Sequence, residues 1–186
     1  MYAAKDFSHL LSTEGFSDAL LNNHFTLYQG YVTNTNKLIE ILKTKEAGTP
    51  EYAELHRRFG WEWNGMRLHE LYFGNLAKQG VPLSERTLKQ KIVAMWGSYE
   101  NWEKECKGMA AMRGIGWVVL VHDKKDGNLF NIWVGEHDEG YLAGLTPLLV
   151  MDVFEHAFML DYGIKRADYI NAFMSHIDWH AVEERI

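Results

Sequence analysis

The stretch Leu148-Leu149-Val150-Met151-Asp152-Val153-Phe154-Glu155-His156-Ala157-Phe158 puts a carboxylate and an imidazole four residues apart. They lie where a short apolar run gives way to helical spacing. Side chains at i and i+4 share one face of a helix, so Asp152 and His156 are expected to reach one small cation together. A hard anionic oxygen beside a borderline nitrogen suits iron, manganese or zinc rather than calcium. Taken alone, the pair fits a plainer arrangement better, with Asp152 capping a helix and His156 merely packing. The rest of the chain decides between them.

Upstream of this stretch the pattern is helical, then mixed. Ser17 reads as the N-cap of a helix that begins Asp18-Ala19-Leu20-Leu21 and carries His24, Tyr28 and Tyr31. Asn36 to Lys43 continues that spacing, Gly48-Thr49-Pro50 is a turn, and Glu51 to Ala77 is helical again. Residues 1–79 therefore read as an antiparallel helical hairpin, and Gln79-Gly80-Val81-Pro82-Leu83-Ser84 as a linker. Residues 84–186 read as an α/β domain. Helices are expected over Glu85–Met95 and Ser98–Lys107, and strands over Gly114–Val121, Leu129–Val134 and Leu148–Met151. Lys125-Asp126-Gly127-Asn128 is a hairpin turn between the first two strands. Closing helices are expected over Phe154–Tyr162, Arg166–Phe173 and Ala181–Glu184. The fold class is α+β, with a small three-stranded antiparallel sheet in the second domain.

Composition narrows the function. Seven Trp, nine Tyr and nine Phe in 186 residues allow a substantial core. The net charge of −6, with both signs interspersed, argues against a nucleic-acid partner. The lone Cys106 leaves no intrachain disulfide and no cysteine-rich metal site. No apolar run approaches the roughly 20 residues needed to span a membrane. The start, Met1-Tyr2-Ala3-Ala4-Lys5-Asp6, has no signal-type apolar region, so a cytoplasmic location is expected.

Of nine histidines, His9, His56, His122, His176 and His180 sit in polar or mixed contexts and read as surface or satisfied structural residues. His24 and His69 fall where the inner faces of the two hairpin helices would be. With Asp152 and His156 they would form a site of three imidazoles and one carboxylate, drawing on both halves of the chain. That shell leaves a divalent ion with net charge +1 and suits a one-electron redox metal.

With these residues in place, the chain resembles the iron/manganese superoxide dismutases over nearly its whole length. The family's Asp-x-Trp-Glu-His-Ala-Tyr signature corresponds to Asp152-Val153-Phe154-Glu155-His156-Ala157-Phe158. Its Gly-x-Gly-Trp strand start corresponds to Gly114–Trp117. Its tail segments are similar to Arg166-Ala167-Asp168-Tyr169 and Ile177-Asp178-Trp179, and its second metal histidine matches His69 in Leu68-His69-Glu70-Leu71-Tyr72.

The resemblance implies disproportionation of superoxide at one iron or manganese ion per chain, with a lean to iron. It implies His24, His69, Asp152 and His156 as ligands. Tyr31 and His137 would hydrogen-bond the solvent and substrate region, and Trp117 and Phe154 would wall the site. It also implies a homodimer in which Glu155 reaches His156 of a second copy, and an Arg166 that supports the substrate funnel. The chain departs from the family in four ways. His24 precedes Tyr31 by seven residues where the family has eight, leaving Asn23 as the other register and a removed helical bulge as the preferred account. His137 takes the place of a common Gln, and Gly65 cannot supply that Gln from the helix. Phe154 replaces Trp. Leu27 and Met159 replace a His–Tyr pair that meets across the family's dimer.

Three rival functions fit the chain less well. A metal-free relative kept as an interaction module would have shed ligands, yet all four have candidates. A di-iron carboxylate oxidase needs Glu-x-x-His pairs, and a zinc hydrolase needs His-Glu-x-x-His. Neither pattern is present.

Overall fold

Two long helices begin at side-chain caps that satisfy amide groups the helix itself cannot. Helix α1 covers Asp18–Leu42, and Ser17 Oγ accepts from Leu20 N at 3.1 Å. Helix α2 covers Pro50–Phe73, with Thr49 as N-cap, Pro50 in its first turn and Gly74 as C-cap. In this computed structural model, which describes residues 1–186, the two pack as an antiparallel hairpin. The buried side of α1 recurs at helical spacing through Leu20, His24, Tyr28, Val32, Thr35 and Leu38. The N-terminal segment straps the hairpin. Lys5 N donates to Tyr28 Oη at 2.9 Å, and Tyr2 N donates to Asn36 Oδ1 at 2.8 Å.

The second half opens with α3 (Thr87–Trp96) and α4 (Tyr99–Ala110), separated by Gly97 at φ +82° and the Ser98 cap. Three antiparallel strands follow: β1 (Gly116–His122), β2 (Leu129–Gly135) and β3 (Thr146–Asp152), in the order β2-β1-β3. Trp117 on β1 pairs with Asp152 on β3, so the end of β3 is held in register beside a buried indole. Helices α5 (Met159–Tyr162), α6 (Arg166–Ser175) and α7 (Trp179–Glu183) close the chain. One apolar core runs through both halves, from Leu20 and Phe73 on the hairpin to Val119 and Val150 in the sheet. The segment after α2 is not loose, because Val81 N donates to Ile177 O. No helix is long and apolar enough to cross a membrane.

Three expectations need correction. The helix expected over Phe154–Tyr162 is broken. A single 3₁₀ turn covers Glu155–Ala157, and only Met159–Tyr162 is α-helical. Asp152 and His156 therefore do not meet across a helix face. Asp152 is the last residue of β3, and Phe154 N donates to its Oδ1 at 2.8 Å, which curls the chain back toward the carboxylate. The second hairpin helix stops at Phe73 rather than Ala77, because Gly74 ends it and Asn75 turns inward. His122 is neither exposed nor satisfied: it is buried, and neither ring nitrogen has a hydrogen-bond partner.

Candidate metal centre

His24 on α1, His69 on α2, Asp152 at the end of β3 and His156 in the 3₁₀ turn meet at one point. Their ligating atoms all lie within 4.8 Å of one another. The three Nε2 atoms converge on a single oxygen, Asp152 Oδ2, at 3.2 Å (His24), 3.6 Å (His69) and 3.0 Å (His156). Helix α1 runs without a bulge, His24 is buried and Asn23 is exposed. Seven residues bring a regular helix to within about 20° of two full turns. His24 and Tyr31 therefore share a face of α1 with no local distortion.

The protonation of this group follows from its surroundings. Burial pushes His24 and His69 below the usual imidazole value, so both are held neutral, the form that binds metals. Burial also opposes charging Asp152, but His156 and His24 outweigh it and hold the carboxyl well below its usual range. His69 Nδ1 lies 2.6 Å from Gly65 O, an acceptor only, so Nδ1 carries the proton. Its Nε2 is then a bare lone pair, buried, without a hydrogen-bond partner, and aimed at an anionic oxygen. Two lone pairs facing one another in a dry pocket are unfavourable unless a cation stands between them. The donor set therefore fits a nitrogen- and oxygen-liganded transition metal of the iron, manganese or zinc kind.

Around the four residues lies an aromatic wall. His137 is fully buried in the loop after β2, among Tyr31, Trp61, Trp117 and Phe154. Trp117 Nε1 can only donate, and it donates to His137 Nδ1 at 3.0 Å. The neutral ring must then carry its proton on Nε2, which donates to Tyr31 Oη at 2.7 Å. Burial pushes His137 down to about 4, so this tautomer persists at neutral pH, while burial raises the Tyr31 phenol to about 12. Both nitrogens of His137 are thus engaged with protein groups, and the hydrogen-bond path from His137 into the site runs through Tyr31.

The remaining expected residues fall as follows. Trp117 packs edge-on against His69 at 4.9 Å, and Phe154 stacks on both His137 and His156. Glu155 is exposed beside the 28%-exposed His156 side chain, on a cleft that also includes Asn23, Met159 and Leu160. Leu27 is half-buried. Arg166 Nη1 donates to the carbonyls of Met112 and Gly114, and its guanidinium lies 5.7 Å over Phe158. Two contributors escaped the sequence reading. Trp61 packs on His137 at 4.9 Å, and Tyr169 Oη donates to Asp152 O at 2.6 Å. Trp61 could have been found, because Trp61, Gly65 and His69 lie on one i+4 ridge of α2.

The amino-acid sequence matches one family of known proteins. The model of the C-terminal domain of iron/manganese superoxide dismutases matches residues 84–185. Manganese superoxide dismutase 2 of Haloferax volcanii is 37% identical over 159 positions, covering 84% of this chain and 79% of that protein. The iron superoxide dismutase of Aquifex aeolicus is 36% identical over 190 positions, covering 97% and 89%. That of Cupriavidus metallidurans is 36% identical over 177 positions, covering 92% and 88%. This chain belongs to the iron/manganese superoxide dismutase family. It is an oxidoreductase of that type.

Proposed function

We propose that the chain disproportionates superoxide to oxygen and hydrogen peroxide at one ion held by His24, His69, Asp152 and His156. The convergence of three imidazoles on Asp152 Oδ2, with His69 Nε2 otherwise unpartnered, carries this reading. When bound, iron or manganese supplies a one-electron couple that takes an electron from one superoxide and returns it to a second, and two protons complete the peroxide. Both metals appear in the names of relatives. We favour iron, on the resemblance to family members with a loop histidine.

The chain's own residues supply position, dryness and protons. Tyr31 Oη accepts from His137 and so keeps its own O–H free to face the site. Its raised pKa holds that proton at neutral pH. Trp61, Trp117 and Phe154 exclude bulk water, which strengthens the field of Asp152 on its neighbours. Glu155 is exposed beside His156, and Met159, Leu160 and Ile164 are 46%, 58% and 94% exposed. A two-fold dimer that buries this face would bring Glu155 to His156 of a second copy.

Protein purified from cells given both metals should carry about stoichiometric iron or manganese and should dismutate superoxide. Protein loaded with either metal yet inactive would sink the reading. His137→Ala should keep its metal and lose activity by about 100-fold, the scale of a lost proton-positioning group. Loss of metal in that variant would instead place His137 among the ligands.

A further inference from the structure

Gly65 lies in the interior of α2, four residues before His69. A Cβ there would stand 2.5 Å from Tyr31 Cδ1, 2.7 Å from Cε1 and 2.9 Å from Cγ. These atoms are the root and one edge of the ring, so a swing at the tip of the side chain would not relieve the overlap. The ring is also pinned. Its hydroxyl is bonded to His137, and its face stacks on His69 at 5.2 Å with planes 27° apart. Two other helical glycines show no such contact. Nothing lies within 4 Å of a Cβ at Gly30, and at Gly60 the nearest atom is Asp138 Oδ2 at 3.8 Å. Glycine in a helix interior is less stable than alanine, so its presence at a helix–helix contact needs a packing reason. At position 65 the Tyr31 ring is that reason.

We propose that Gly65 is a positioning residue for the dismutase site. Its bare backbone is the seat that lets the Tyr31 ring lie over His69 with its hydroxyl on His137. The straight run of α1 brings Tyr31 onto the same face as His24, and the close approach of α2 at Gly65 sets how deep the ring sits. The Gly65 carbonyl also takes the Nδ1 proton of His69, so one residue fixes both the tautomer of one imidazole and the place of the phenol. The consequence for turnover rests on the dismutase reading; the steric part does not.

The test uses the full-length, metal-loaded protein. Gly30→Ala and Gly60→Ala should leave Tm unchanged or higher. Gly65→Ala should lower Tm and keep its metal, and its crystal structure should show Tyr31 Oη out of hydrogen-bond reach of His137 Nε2. Turnover per bound metal should fall about 10-fold or more, since displacements near 1 Å are costly to catalysis. In a Tyr31→Ala background the same Gly65→Ala change should cost no Tm, because the two sites are coupled through that ring alone.

A Gly65→Ala protein with raised Tm and an unmoved Tyr31 would overturn the proposal. So would a fall in Tm that persists in the Tyr31→Ala background. If Gly65→Ala does not fold, a folded double variant supports the proposal and an unfolded one overturns it. Wild-type protein that binds metal but does not dismutate would sink the functional reading and leave the Tm and crystallographic comparisons standing.

Discussion

At the level of single residues, burial sets most of the chemistry. His122 sits at the end of β1 with both ring nitrogens buried and unpartnered. Burial lowers its pKa from 6.5, Lys91 and Lys124 push the same way, and Asp123 opposes them. Below pH 6.5 the unfolded chain therefore binds a proton that the folded chain refuses. The stability associated with a neutral His122 is complete above that pH and is lost as the pH falls toward the lowered folded value. Replacing His122 with Leu removes this linkage. Urea unfolding at pH 7.5 and pH 5 should show a smaller acid loss in His122→Leu than in wild type, and equal losses would refute it. His24 behaves differently, because its neighbours are built around it. The seven-residue spacing to Tyr31 was visible in the chain and left Asn23 as a rival. His24 was preferred because the residues before it, Phe16, Ser17 and Leu20, fit that register and because Asn is a poor substitute for an imidazole ligand. That the helix would carry both on one face without a bulge follows from helix geometry alone.

At the level of elements, β3 is an edge strand whose end carries Asp152, and side chains complete its outer rim. Asn75 acts in place of a fourth strand. Its Oδ1 accepts from Val150 N at 2.9 Å, and its Nδ2 donates to Val150 O at 3.2 Å. Arg185 from the C-terminal segment caps Leu148 O on the same strand. Asn75→Leu would leave a buried N–H and C=O unpaired two residues before Asp152. It should cost about 2–6 kcal/mol, at roughly 1–3 kcal/mol for each of the two unsatisfied groups. It should also loosen metal retention. Equilibrium denaturation and metal content after dialysis measure both, and unchanged stability would show that the amide does not hold the edge. The strands were legible from their β-branched and aromatic runs. The role of Asn75 was not, because nothing local says which strand an interior amide will meet.

At the level of the whole molecule, the proposed ion ties α1, α2, β3 and the following turn together. An ion that binds only the folded state stabilises it by about 4 kcal/mol when its free concentration is 1,000 times Kd. Chelated protein should therefore melt well below the loaded form by calorimetry, and equal Tm values would mean the four residues hold no ion. The second expectation concerns assembly. Met159, Leu160 and Ile164 are exposed in the stretch that follows Glu155, and the proposed two-fold dimer would cover apolar surface there. Leu160→Lys with Ile164→Lys should convert a dimer to monomers in sedimentation velocity at micromolar concentration. A dimer that survives both changes would place the interface elsewhere.

Local chemistry is what the sequence determined by itself. Ser17, Thr49 and Ser98 start helices because each offers an oxygen to amides a few residues away. The hairpin turn and three strands follow from short-range alternation, and the signature from Asp152 to Phe158 was specific enough to point to a family. The same local reasoning failed at Asp152 and His156, where helix spacing was invoked and the structure uses a strand end and a 3₁₀ turn. Tertiary structure alone decided that three imidazoles from separate elements share one carboxylate oxygen, that His137 is locked as one tautomer, and that Tyr31 rests on Gly65. Each depends on how closely α1, α2 and the sheet approach, and that distance is set by packing of the whole core, which no window of neighbouring residues contains.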